Sequence, residues 1–242
     1  VEALRAARVA NVLCGFLLAG HRVVAAVANR QYRPHALDLT MIINIVMSSA
    51  SLRTGESWTP VCLAHLNDKA FAYAYISFIE GTDVGAVFLS TCSDGEQFYA
   101  ISQQAAQVKR TLESSGCLAG IAEAAARAPL SSGLEGVLHC CYFAPQLQQY
   151  FSSSVGGSYA SRHGRKQLLR SYGRCRLLLR GAKLPAQVCV ATDHECFYAS
   201  LSAELHMYLA VPRGISTGVI GQFYQWVRAQ EAHLLLGALP TW

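Results

Sequence analysis

Val12-Leu13-Cys14-Gly15-Phe16-Leu17-Leu18-Ala19-Gly20-His21-Arg22-Val23-Val24-Ala25-Ala26-Val27-Ala28 is the stretch that decides the fold: two apolar, β-prone runs meet at a Gly-His pair. A two-residue turn containing Gly between such runs predicts a β-hairpin. Leu37–Met47 follows, apolar on nearly all sides and preceded by Pro34, which predicts a buried helix. Three strands come next, over Thr59–Leu66, Ala70–Ile79 and Val84–Thr91. Turn residues separate them at Asn67-Asp68 and at Gly81-Thr82-Asp83. Asp94 and Gln97 resemble a capping box, and Phe98, Ile101, Ala105, Val108 and Leu112 then keep one helix face. An Ala-rich segment, Leu118–Arg127, predicts a last short helix.

The same order recurs. Val137–Phe143 and Gln148–Ser153 open the second half, a Ser/Gly stretch runs from Ser152 to Gly164 as a mobile loop, and Arg165–Arg180 reads as a helix. Strands over Gln187–Ala191, Cys196–Ser202 and Leu205–Val211 follow. The closing helix carries Val219, Ile220, Phe223, Val227 and Leu234 on one face, with Ser216 as its cap. The connector is Ala128–Gly136, which divides the chain into units of 1–130 and 131–242. The expected class is α/β of the α+β type, two tandem units that are each an antiparallel sheet flanked by helices. The order of elements is similar to a longin or profilin-like layout.

Composition narrows the function. Asp, Glu, Lys and Arg make up only 14% of the 242 residues, against a usual share of about a quarter. Either Ser, Gln and Ala cover the surface, or part of it is buried against a partner. Nine cysteines, an odd number with no CxxC pair, sit mostly in apolar runs, which suits a reducing cytosol. No apolar run approaches the roughly 18 residues of a membrane span. The chain opens on Val and reads as a fragment, so the Arg5/Arg8 stretch is not read as a targeting peptide on that start alone.

There is no phosphate loop, nucleophile elbow, H-E-x-x-H or G-x-G-x-x-G. Cys62-x-x-His65, His139-Cys140-Cys141 and His194-x-Cys196 have the residue types for a zinc site or a Cys–His nucleophile. Each lies in or beside a strand, where alternation sends neighbours to opposite faces. Neither catalytic residues, a metal nor a cofactor is expected.

One local feature stands out. Arg162, Arg165, Lys166, Arg170, Arg174, Arg176, Arg180 and Lys183 are eight of the chain's twenty basic residues, and no Asp or Glu occurs between Glu135 and Asp193. Leu168, Tyr172, Cys175 and Leu179 share one face of the predicted helix, with the basic residues over the opposite half. This is either a solvated amphipathic helix or a contact for an anionic surface. Lipid headgroups fit better than nucleic acid, because no aromatic ladder interleaves with the charges.

Gly55-Glu56-Ser57-Trp58-Thr59-Pro60-Val61-Cys62-Leu63 resembles the "GE-x-WTP-[IV]-CLP" signature of the Mon-one family of vacuolar fusion proteins. His35-Ala36-Leu37-Asp38-Leu39 is similar to that family's "HP-x-DL", Tyr75-Ile76-Ser77-Phe78 to its "ISY" strand, and Trp226–Glu231 to its closing "W-[IV]-RKEE". Ala64 stands where the family has proline, and residues 136–165 depart from it. The resemblance implies two longin domains, the second and third of the family's three. It also implies a scaffold role in a heteromeric guanine-nucleotide exchange factor of vesicle-mediated transport, with no covalent chemistry. The implied partners are a Ccz-one-type longin subunit, a Rab-seven-type GTPase gripped by the first longin domain, and an anionic phosphoinositide membrane. The implied setting is cytoplasmic and peripheral on the late endosome or vacuole, in protein transport and autophagy. Gly55, Glu56, Trp58, Thr59, Pro60, Cys62 and Leu63 are then structural. Pro60 should begin a strand or lie at a sheet edge, and Trp58 should pack against the helix around Ile42 and Ile45. A Fuzzy-like tri-longin protein is the nearest alternative, and a Cys/His hydrolase using Cys62/His65 or Cys140/His139 a remoter one.

Overall fold

The structure, a computed structural model, describes residues 1–32, 34–126, 136–234 and 241–242, and their side chains apart from Ala126, Thr217 and 230–234. The chain forms two compact units, Val1–Arg127 with Ala238–Trp242, and Ala128–Gly237. The connector expected over Ala128–Gly136 lies, except for Gly136, outside the described residues, as does the side chain of Leu234.

The first unit runs α1 (Glu2–Ala6), β1 (Val12–Ala19), β2 (Arg22–Ala28), α2 (Ala36–Ser48), β3 (Glu56–Cys62), β4 (Phe71–Phe78), β5 (Val84–Ser90), α3 (Gly95–Ser114) and α4 (Cys117–Ala126). Its strands make one antiparallel sheet in the order β2-β1-β5-β4-β3. Ala19 pairs with Arg22, so Gly20-His21 is the expected two-residue turn. Gly20 takes φ +57, as the first central residue of such a turn requires.

The central strands are buried on both faces, which is why they read as unbroken apolar runs. Phe16 and Leu18 of β1, Ile76 of β4 and Leu89 of β5 pack with Ile42 and Val46 of α2. Leu17, Tyr75 and Phe88 turn the other way, onto Ile101, Ala105, Val108 and Leu112 of α3, with Leu4 of α1. The five-residue α1 has no sequence periodicity to announce it. The expected capping box at Asp94 does not form: no side-chain cap bond is made there. Asp94 instead accepts from the Cys92 thiol, and Gln97 donates to the Ala10 carbonyl at 2.7 Å. Gln97 is needed to satisfy a backbone oxygen next to α1, and that outweighs the local cap.

The second unit runs β6 (His139–Ala144), β7 (Gln149–Ser152), α5 (Arg162–Leu178), β8 (Ala186–Ala191), β9 (Glu195–Leu201), β10 (His206–Pro212) and α6 (Thr217–Leu234). The sheet order, β7-β6-β10-β9-β8, is antiparallel throughout and repeats the first unit's order. Phe223 and Val227 of α6 pack on one face with Tyr142, Met207 and Leu209. On the other face α5 packs on Phe197, Ala199 and Leu201.

The loop expected to be mobile between Ser152 and Gly164 is tied down. Gly157–Tyr159 forms a short 3₁₀ turn, Tyr159 is buried, and its hydroxyl donates to Glu195 Oε2 at 2.7 Å. Tyr159, with Ser158 beside it on the same Glu195 carboxylate, supplies the anchor, which the Ser/Gly composition around it conceals. No described helix is long and apolar enough to cross a membrane.

Candidate functional site

The α5 helix starts on a cap: the Ser161 hydroxyl accepts from the Gly164 amide at 3.0 Å. Leu168, Tyr172 and Cys175, with Leu179 just beyond the helix, are buried and hold it against β9. The Tyr172 hydroxyl lies 2.9 Å from His139 Nδ1 and donates to the His139 carbonyl, so a buried polar pair locks the helix in rotation. Burial lowers the affinity of His139 for a proton, so the ring has reason to stay neutral beside that hydroxyl.

This rotation sends Arg162, Arg165, Lys166, Arg170, Arg174 and Arg176 to solvent, and Arg180 and Lys183, beyond the helix, are exposed as well. Among the described residues none of the eight makes an ion pair. Arg176 adds to the effect of burial in lowering the proton affinity of His206 on β10. Within the arc that the basic residues cover, Leu169 and Leu177 stand 68% and 67% exposed. The face is therefore cationic with two apolar side chains in its middle, a feature that charge counting alone passes over. A shallow hollow beside it is lined by Gly173, Arg176, Leu177, Leu179, Arg180 and Leu201.

The Gly55–Leu63 segment lies in the first unit. Gly55 takes φ +96 at the entry to β3. Glu56 accepts from the Ser102 hydroxyl at 2.8 Å and so joins β3 to α3. Pro60 sits on β3, which is an edge strand, as a residue without a donor requires. Thr59 pairs with Ala74, Cys62 is exposed and Leu63 is buried.

Trp58 faces away from Ile42 and Ile45. Its ring stacks on Tyr73 with centroids 5.7 Å apart and meets Phe98 of α3 edge-on at 6.2 Å. Strand alternation explains the correction: Val61, of opposite parity, takes the α2 side. Trp58 is only half-buried, so Trp58→Ala should cost about 2 kcal/mol, below the range for a fully buried tryptophan. The unfolding midpoint should fall by roughly 4–8 °C. A thermal melt with an unchanged midpoint would make Trp58 a surface contact residue instead.

Two polar groupings went unread in the sequence. Lys109 of α3 donates to Ser77 Oγ at 2.6 Å and to the Phe78 carbonyl at 3.0 Å, and burial lowers its pKa. His65 Nδ1 meets the buried Asp38 carboxylate at 3.0 Å, and its ring stacks on His35 with centroids 3.8 Å apart. Only the chain-distant pairings make these groups visible.

The Cys62/His65 and Cys140/His139 pairings of the sequence do not assemble. His65 is taken by Asp38 while Cys62 is exposed, and His139 is taken by Tyr172. Cys140 is buried on the α6 side, with burial pushing its thiol pKa up, and Cys141 packs on the α5 side. Among the described residues no three His, Cys, Asp or Glu side chains are grouped to hold a metal ion.

Residues 10–110 match the family described as the second longin domain of FUZ, MON1 and HPS1. The chain is 28% identical to vacuolar fusion protein MON1 homolog A of Homo sapiens, over 96% of this chain and 37% of that protein. It is 28% identical to vacuolar fusion protein MON1 of Cryptococcus neoformans, over 96% of this chain and 39% of that protein. To the protein SAND of Takifugu rubripes it is 27% identical, over 97% of this chain and 46% of that one. The chain thus spans less than half the length of these curated relatives.

Proposed function

We propose that this chain, whose residues 10–110 match the family of second longin domains of FUZ, MON1 and HPS1, is the scaffold portion of a MON1-type vacuolar fusion protein. The observation that carries the reading is the similarity to MON1 homologues, which runs through both units and over 96% of the chain. In this reading the two units are the second and third longin domains of a subunit of a Rab guanine-nucleotide exchange factor. They bind a Ccz-one-type longin subunit and act in traffic from late endosome to vacuole or lysosome. The chain does no covalent chemistry, and the Rab-seven-type GTPase is gripped by a domain other than these two.

The basic face of α5 supports a peripheral membrane contact. Each Lys or Arg near an anionic leaflet contributes about 1 kcal/mol. Exposed leucines among such charges add apolar burial at the headgroup boundary. Phosphoinositide headgroups supply the anionic surface in this reading.

Purified residues 1–242, used as bait in cytosol, should retain a Ccz-one-type longin subunit; its absence from the eluate would overturn the scaffold reading. The same chain alone should leave the release of fluorescent nucleotide from a Rab-seven-type GTPase at its spontaneous rate. Acceleration would place the exchange surface within these two units.

A further inference from the structure

Sheet edges expose unpaired backbone groups, and proteins usually blunt them with short strands, charges, proline or a cover. Three of the four edges described here are blunted. In the first unit β3 carries Glu56 and Pro60, and β2 is met by Thr241, which bridges to Ala28 while the Trp242 amide donates to the Ala28 carbonyl. In the second unit β7 is only four residues long. The fourth edge, β8, is Ala186-Gln187-Val188-Cys189-Val190-Ala191, six residues with no charge and no proline. Its Ala186, Val188 and Val190 pack on the α5 side, and Gln187, Cys189 and Ala191 are exposed on the other face.

We propose that β8 is a self-association edge, and that its occupant is the β8 strand of a second copy of this chain, paired antiparallel about a two-fold axis at Val188. The strand is self-complementary. This register sets Val188 opposite Val188, Ala186 opposite Val190 and Gln187 opposite Cys189, so inward residues meet inward residues and neither sheet face flips. A two-fold contact requires that kind of self-match. The charges agree with it: the register brings the Lys183 end of each copy beside the Asp193 end of the other. Both residues are exposed, and among the described residues neither has an ion-pair partner. A single strand pair buries little area, so the association is weak and concentration-dependent. This contact is independent of the scaffold reading and uses one of the eight basic residues, Lys183, which lies beyond α5.

Sedimentation velocity of the 242-residue chain, in reductant and from about 5 to about 200 µM, a span suited to a weak contact, should show the average mass rising toward that of a dimer. Hydrogen exchange should show β8 amides gaining protection over the same range. Cys189→Lys puts a charge on the exposed edge and should abolish the rise, with the circular dichroism spectrum and melting midpoint retained. Lys183→Asp or Asp193→Lys alone should weaken association about tenfold, as two rim pairs become like-charge contacts. Mixing these two variants should restore association, since each then meets its complement.

A chain monomeric throughout, an association indifferent to Cys189→Lys, or a mixture that recovers nothing would overturn the proposal. So would β8 protection that appears only when a longin partner subunit is added, which would assign the edge to that subunit.

Discussion

The triple variant Lys166→Glu, Arg170→Glu, Arg174→Glu is expected to lose about a hundredfold or more of its partitioning onto anionic vesicles. Each basic residue contributes about 1 kcal/mol near such a surface, and three contributions are removed before any repulsion is counted. Because the three side chains are exposed and without ion pairs among the described residues, the fold should not change. Raising salt from about 0.1 to 1 M shortens the screening length about threefold and should weaken wild-type binding in the same direction. Flotation with phosphoinositide-containing and neutral vesicles is the measurement, with circular dichroism as the control. Leu169→Ser with Leu177→Ser should weaken binding that salt does not remove, because apolar insertion is unscreened. If flotation ignores both charge and salt, α5 is a solvated face or a protein contact.

Gly164→Ala should cost about 3 kcal/mol or more, the upper range for overpacking. A methyl group at Gly164 would run into the Ser158 carbonyl and lie 2.9 Å from the Tyr159 Cα. Both are backbone atoms, which cannot swing aside as a side chain can. The variant must push the 3₁₀ turn away from α5, with loss of the Tyr159–Glu195 bond. Gly173, nine residues along the same helix, is the matched control: nothing lies within 4 Å of its added methyl. Gly173→Ala should stabilise the helix by about 0.5–1 kcal/mol. Chemical denaturation of the two variants should therefore move in opposite directions. Equal shifts would mean that the turn and the helix are not in contact.

Much of the fold was legible because the central strands are buried on both faces. Runs such as Val12–Ala19 and Val84–Ser90 cannot be surface segments, and turn residues bound them. The helix faces of α3 and α5 followed from periodicity, since Ile101, Ala105, Val108 and Leu112, and then Leu168, Tyr172 and Cys175, are the residues that are buried. What failed were facts set by partners distant in the chain. The face taken by Trp58 depends on strand parity relative to a helix, and the helix pattern holds no record of it. Gln97 satisfies a carbonyl 87 residues away, so its position three after Asp94 only imitates a cap. The rigidity of Gly157–Tyr159 rests on Glu195, in a different strand. The charges of α5 were visible as composition, whereas the exposure of Leu169 and Leu177 depended on how Tyr172 and His139 fix the helix in rotation.

The return of Thr241 and Trp242 to the first unit has a consequence for biosynthesis. Trp242 packs with the α3-side core, and its indole donates to the Leu4 carbonyl at 2.9 Å. The first unit therefore needs residues that the ribosome adds only after all of the second unit. Arg127 and Trp242 are 115 positions apart (242 less 127), which at about 5–20 residues per second takes roughly 6–23 s. Through that interval the nascent first unit has β2 uncapped and part of its core unfilled, until Thr241 and Trp242 reach it.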